Sequence, residues 1–163
     1  MDSDEKSFIS DNTDLVMQSP IEIRQIEFGS DEYHEELQLR DRVLRKPLGL
    51  NLFDESLSGE VNDIHIGAFD NKKLIGVLIL TALERNKIKM RQVGVDEKWR
   101  GKNVGGRLVM YAESFAKKEG YSIVLLNARK AVVGFYQKLG YQKIGDEFIE
   151  VTIPHQKMQK ALV

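Results

Sequence analysis

The chain of 163 residues predicts an α/β (α+β) fold: a mixed, mainly antiparallel central sheet flanked by helices, in the order β-α-β-β-β-α-β-α-β-β. Three observations carry this. Apolar–polar alternation in "IEIRQI" (residues 21–26) marks a half-buried strand. A stripe with helical period, Val104, Leu108, Tyr111, Ala112, Phe115 and Ala116, marks a helix with one buried face. The nearly continuous apolar run "YSIVLLNA" follows that helix at once, as the second strand of a βαβ crossover does.

The elements follow in order. Ser30 is placed to cap a first helix, with Asp31 and Glu32 in its first turn and Tyr33, Leu37, Val43 and Leu44 along its apolar stripe. Pro47 and Gly49 end it, and "GLNLFDESLSGE" reads as a loop or short helix. "DIHIGAF" and "KLIGVLILTAL" flank the hairpin signal Asp70-Asn71, and "KIKMRQVGV" follows the polar turn Glu84-Arg85-Asn86. The long helix closes on Gly120, a left-handed cap. "YSIVLLNA" predicts a strand covered on both faces. "AVVGFYQKLG" reads as a short helix ending at Gly140, and "YQKIGDEFIEVTIPHQKMQKAL" as a final hairpin. Residues 1–19 are polar and acid-rich and read as a tail or added element, leaving 20–163 as one domain.

Composition narrows the function classes. Net charge is -1, so no global field gathers nucleic acid or an acidic membrane. The chain has no cysteine, which excludes disulfides, thiolate metal sites and a cysteine-linked acyl intermediate. Its N-terminus lacks a secretory layout and no apolar run approaches the ~20 residues of a membrane span, so a cytoplasmic protein is expected.

The chemistry-bearing stretch is "RGKNVGGR", Arg100 to Arg107, with three glycines and three cations in eight residues. Between a strand and a helix it exposes backbone amides at a helix N-terminus, a place for phosphate or pyrophosphate. Gly105 and Gly106 permit close approach to the backbone, and Arg100, Lys102 and Arg107 add charge-assisted contacts. Glycines before a helix also serve simply to make a turn. The string is neither G-x-x-x-x-G-K-[ST] nor G-x-G-x-x-G after a first strand, so both nucleotide fingerprints fail.

On these residues the chain resembles the GNAT superfamily of acyl-CoA-dependent N-acyltransferases. The family signature Arg/Gln-x-x-Gly-x-Gly/Ala reads here Arg100-Gly101-Lys102-Asn103-Val104-Gly105, preceded by "VGVDEKW". "NARKAVVGFYQKLGYQ" is similar to the family's Asn-then-Phe-Tyr-x-x-x-Gly-Phe/Tyr segment. The resemblance covers roughly residues 20–161 and is strongest over 88–141. One letter departs: Asn103 stands at the first motif glycine, and asparagine is the residue next best suited to positive φ.

The resemblance implies direct acetyl transfer from acetyl-CoA to an amine, with no metal. It places the backbone of Val93, Gly94 and Val95 along the pantetheine arm, the Val95 amide polarising the thioester oxygen. Arg100, Gly101, Lys102, Asn103, Val104, Gly105 and Gly106 form the pyrophosphate cradle. Asn127 stands near the pantetheine, or alternatively caps the segment from Arg129. Tyr136 matches the tyrosine beside the CoA sulfur, where a phenol of pKa ~10 protonates a leaving thiolate; a core tyrosine is the alternative. The base is open among His65, His155 and a water chain, since the strand over 88–95 offers only Gln92. His34 reads as a surface residue. The acids of "DEYHEELQ" read as a solvated helix face that tilts toward a cationic acceptor. "IPHQKM" recurs in small bacterial members of the family. The expected acceptor is a small-molecule primary amine. A protein or peptide amine, or an acyl-CoA sensor without catalysis, is the competing reading; members of the family are often dimers, so the resemblance admits a homodimer, but the sequence does not fix the assembly.

Overall fold

The computed structural model describes residues 20–163, so the reading of residues 1–19 lies outside the described residues. The elements run β1 (Ile21–Ile26), α1 (Asp31–Leu44), β2 (Ile64–Asp70), β3 (Lys73–Ala82), β4 (Lys87–Val95), α2 (Val104–Lys118), β5 (Ile123–Arg129), α3 (Val133–Lys138), β6 (Gln142–Lys143), β7 (Phe148–Glu150) and β8 (Ile153–Ala161). The predicted order and mixed sheet are observed. The expected final hairpin is instead three strands, because the segment after Lys143 breaks at Gly145 (φ +72) before β7 begins.

Eight strands form one sheet in the order β1-β2-β3-β4-β5-β8-β6, with β7 also paired to β8. Every adjacent pair is antiparallel except β4 and β5. The tight turns use paired positive φ angles, at Asn71-Lys72, Arg85-Asn86 and Val151-Thr152, the geometry that matches a hairpin's twist.

Each sheet face buries its own core. On one face α2 and α3 pack Leu108, Ala112, Val133 and Tyr136 against Ile75, Leu78, Val124, Leu126 and Met158. On the other, α1 packs Tyr33, Leu37 and Val43 against Ile26, Phe69, Leu74 and Val77. Ser30 caps α1 as expected, its Oγ accepting from the Tyr33 amide at 3.2 Å. Gly120 and Gly140 take φ of +93° and +97°, completing the predicted left-handed stops. β5 departs from expectation. Its residues alternate between buried and half-buried, because α1 covers only the β1–β4 part of the sheet and leaves one face of β5 to a cleft.

The acids of α1 are not simply a solvated face. Glu36 is fully buried, and Glu32 is held by Arg24 at 2.7 and 2.6 Å. Glu36 and Glu60 enclose Arg40, which donates to Glu36 Oε2 at 2.9 Å and to both Glu60 oxygens at 2.8 and 2.7 Å. Tyr33 Oη donates to Glu60 Oε1 at 2.8 Å. His65 completes the group: Nδ1 lies 2.9 Å from Glu36 Oε2, and Nε2 lies 2.9 Å from the Glu60 carbonyl. Both its ring nitrogens face acceptors, so the ring is doubly protonated. Burial opposes that charge, but Glu36 overcomes it and raises the pKa above the ordinary histidine value. Burial likewise pushes the Glu60 carboxyl up, while the Arg40 hydrogen bonds and charge outweigh it and hold it below the usual range. Glu36, Glu60 and His65 have the donor types and closeness of a metal site. Their donors are already committed to Arg40 and to one another, so the group is an internal ion network.

Removing one member of a buried ion group strands the others. Arg40→Leu is expected to destabilise the fold by about 3–5 kcal/mol in urea unfolding; a loss under about 1 kcal/mol would contradict the network. The histidine contribution has a definite sign. A raised folded-state pKa stabilises fully below the unfolded value of ~6.5 and loses that stability as pH climbs through the folded value. His65→Asn, which cannot titrate, should flatten that limb of the stability–pH curve.

Candidate active site

The β4–β5 ladder is short. It pairs only Lys87 with Ile123, Ile88 with Val124 and Lys89 with Leu125. Beyond that the strands part, and a cavity of about 700 Å³ lies between Met90–Val95 and Leu126–Arg129. A bulge in β4 goes with the parting. Between the pairs Ile79–Arg91 and Val77–Gly94, β3 advances two residues and β4 three, with Gln92 at φ +56. Such an extra residue bends a strand and strengthens its local twist.

The end of α1 closes the cavity on one side with Val43, Leu44 and Arg45. Gly94 makes this approach possible, since a Cβ there would sit 2.9 Å from Val43 Cγ2. Arg45 donates to Glu55 at 2.6 and 3.2 Å and to Gln92 Oε1 at 3.3 Å, tying α1 to the bulge.

At the cavity's other end lies the loop before α2. Asn103 takes φ +62 and ψ 23, and Gly101 takes φ +80, so asparagine holds the left-handed conformation at the position where the family signature has glycine. The Asn103 side chain lies over the helix start, where a Cβ at Gly106 would meet its Oδ1 at 2.3 Å. Gly105 leaves similar room, its added Cβ reaching 3.3 Å from the Phe135 ring. The first helical-type bond onto this turn runs from the Arg107 amide to the Asn103 carbonyl. Among the described residues no acceptor is recorded for the amides of residues 101–106, and α2 has no acid in its first turn. This cradle suits an anion by backbone geometry and by the helix dipole.

Among the sequence-predicted residues, Val93, Gly94 and Val95 line the cavity from β4. Arg100, Gly101, Asn103, Val104, Gly105 and Gly106 line its loop end. Lys102 stands apart, its Nζ 5.2 Å from the Trp99 ring centroid. Asn127 lines the cavity from β5, and the turn after Arg129 has no side-chain cap, so the capping alternative is not realised. Tyr136 is buried on α3, borders the cavity and packs edge-on against Phe135 and Tyr141 at 4.9 and 5.7 Å. Burial raises its pKa above the usual phenol value, so it stays protonated.

The two candidate histidines separate. His65 is absent from the cavity and locked in the ion network, both nitrogens occupied, which removes it as a base. His155 lines the cavity. Its Nδ1 donates to the Ile153 carbonyl at 2.9 Å, and its Nε2 lies 3.7 Å from Glu150 Oε1. With Nδ1–H committed to that carbonyl, Nε2 is the ring nitrogen turned toward Glu150. Among the cavity residues that escaped the sequence reading are the charged Glu150, Arg45, Arg91 and Arg129. Only Arg129 carried a signal, two positions after Asn127 and so on the same face of one strand.

The comparisons agree with this geometry. The family model described as "Acetyltransferase (GNAT) domain" matches residues 45–162. The "uncharacterized N-acetyltransferase YjcF" of Bacillus subtilis (strain 168) is 28% identical over 133 residues, 81% of this chain and 94% of its own length. The crystal structure of Escherichia coli ElaA superimposes with a TM-score of 0.76 at 22% identity, covering 86% of this chain and 99% of that one. The PaiA N-acetyltransferase from Thermoplasma acidophilum, solved in complex with coenzyme A, gives 0.69 at 18% identity over 87% and 99% of the two chains. These two structures share the fold. No helix among the described residues is long and apolar enough to cross a membrane.

The left-handed Asn103 makes a prediction about the loop. Asn103→Ala is expected to cost about 1 kcal/mol in thermal or urea unfolding, because alanine has neither glycine's freedom nor a short polar side chain at positive φ. Asn103→Gly should stay within about 0.5 kcal/mol of the parent. Equal stability of the alanine and glycine variants would contradict the conformation.

Proposed function

The chain belongs to the GNAT acetyltransferase family and is an acyltransferase, and on that premise we propose that it moves the acetyl group of acetyl-CoA onto a primary amine of a small molecule. One observation carries the reading: a single opening between β4 and β5 has unpartnered amides at one end and a protonated tyrosine and a histidine on its walls.

The loop would hold the CoA pyrophosphate through the amides of residues 101–106 and the α2 dipole, with Arg100 adding charge. The β4 backbone at Val93–Val95 has no strand beside it on the β5 side, so an extended amide chain such as pantetheine fits as an added strand. Lys102, held over Trp99, contributes at most through the backbone of its turn. Asn127 offers an amide side chain to the same arm from β5. When bound, acetyl-CoA supplies a thioester carbonyl carbon for the amine lone pair.

His155 Nε2 takes the proton from the acceptor ammonium, and Glu150 steadies the imidazolium that results. As the new C–N bond forms and the C–S bond breaks, Tyr136 gives its phenolic proton to the departing sulfur and regains one from the second proton that the nitrogen sheds on becoming an amide. Its buried setting keeps that proton in place, available to the sulfur as negative charge develops on it. The Val95 amide is the donor offered to the carbonyl oxygen.

Tyr136→Phe is expected to lower kcat about 100-fold while leaving acetyl-CoA affinity, measured by titration calorimetry, nearly unchanged. His155→Gln should lower kcat at neutral pH, with the deficit shrinking at high pH as the free amine forms unaided. Full turnover by either variant in a thiol-release assay would remove that residue's role, and no acetyl-CoA binding by the parent protein would remove the reading as a whole.

A further inference from the structure

Four arginines line the cavity: Arg45, Arg91, Arg100 and Arg129. Arg100 belongs to the anion cradle. Arg45 is engaged bidentately by Glu55, and Arg91 lies 3.7 Å from Asp63 and donates to Thr81 at 3.3 Å. Arg129 differs. Its recorded hydrogen bond runs from Nη2 to the Leu44 carbonyl at 3.2 Å, and no carboxylate pairs with it among the described residues. It is half-buried, and burial together with the charge of Arg45 lowers its pKa, as happens when no anion balances a guanidinium. The group nevertheless remains charged.

Position decides what this charge faces. Val124, Leu126 and Ala128 point into the core beneath α2 and α3, so Asn127 and Arg129 project from the opposite face of β5, toward the end of α1. The anion cradle belongs to α2, on the other face, which separates Arg129 from the place where the donor phosphates would lie. In the β5–β8 ladder Arg129 is directly opposite His155. Side chains of such a pair share one face with Cβ atoms about 4.5–5.5 Å apart. The guanidinium without a carboxylate partner and the His155 ring therefore stand side by side on one wall.

We propose that Arg129 is the anion-recognition residue of the acceptor site, and that the acceptor is a compact amine carrying a carboxylate or phosphate a few bonds from its nitrogen. This rests on the transfer reading above. The guanidinium fork binds the anionic oxygens, and the amine then falls to His155. Arg45 and Arg129 together repel polycationic amines, the reverse of what the acidic first helix suggests from sequence. Of the acids of that helix, Glu32 and Glu36 are spent on Arg24, Arg40 and His65, and Asp41 accepts from the Leu52 amide.

The test is a thiol-release panel of matched amines: β-alanine against its carboxamide, γ-aminobutyrate against its carboxamide, O-phosphoethanolamine against ethanolamine, and spermidine. The anionic member of at least one pair is expected to exceed its neutral partner about 100-fold in kcat/KM, mostly through KM, and the pair with the larger ratio identifies the anion. Arg129→Gln should collapse that ratio toward one by raising KM, and Arg129→Lys should restore part of it. Acetyl-CoA titration of each variant verifies that the fold is intact. Equal or better turnover of the neutral amines or spermidine by the parent, or an unchanged ratio in Arg129→Gln, would overturn the proposal while leaving acetyl transfer standing. Thiol release from none of the amines, with acetyl-CoA still bound, would overturn amine transfer itself and the acceptor assignment with it.

Discussion

The parallel ladder between β4 and β5 ends after Lys89 and Leu125, and the rest of the molecule is organised around that ending. A full ladder would have filled the space with hydrogen bonds and left a closed, inert sheet. Instead the bulge at Gln92 turns β4 away, and two strands remain joined at one end and open at the other. Backbone polar groups left without a strand partner carry a cost unless water or a ligand takes them. An opening of this kind is stable only because the surrounding elements hold its two edges. β3 holds β4 along its far side, and the long antiparallel ladder to β8, Ile123–Ala161 through Arg129–His155, holds β5.

The ion network under α1 serves the same opening from one face. Glu36, Arg40, Glu60 and His65 join α1 to the chain before β2 and to β2 itself, with little exposure to water. A buried ion group seldom adds net stability over an apolar core of the same shape, because desolvation consumes most of the attraction. What it does supply here is register. The fork of Arg40 on Glu60 and the two-sided grip on His65 each fit one rotation and one height of α1. That position brings Val43 against Gly94, which has no Cβ to push it back, and Arg45 against Gln92. The placement of one cavity wall is thus set at a distance by charges that never face the cavity.

Local features of this fold were legible in the sequence, and long-range ones were not. The Ser30 cap, the glycine stops at 120 and 140, the start of α2 at Val104 and the left-handed Asn103 all follow from single residues and their neighbours. The glycine loop and the Phe-Tyr segment were readable because the motifs lie in continuous stretches. β5 misled because composition cannot tell a strand covered on two faces from one that carries Ile123 and Leu125 beside a cleft. His65 and Glu36 misled for a related reason. Each looks like an ordinary polar residue until strand β2 and helix α1, which are 29 positions apart at this contact, bring them to 2.9 Å. The Gln92 bulge has no sequence mark, since glutamine is not a residue that favours positive φ.

The net charge of -1 conceals an ordered field inside the cavity. Positive potential gathers at two separate places, the amide cradle before α2 and the Arg129 guanidinium near the end of α1, on opposite faces of the sheet. Tyr136 and His155, the residues proposed to move protons, line the same cavity. On this reading two anionic molecules enter from opposite faces, each held by its charged end, and their reactive ends are left to meet in the gap between the strands. The arrangement selects orientation rather than mere occupancy. A donor turned end for end would bring its phosphates to a site shaped for a small anion beside a histidine, and an acceptor bound at the cradle would lie far from the proton-accepting Nε2. Two weak local charges, separated by the thickness of a sheet, therefore do more to align the reactants than a strong net charge spread over the surface, which would attract both molecules and orient neither.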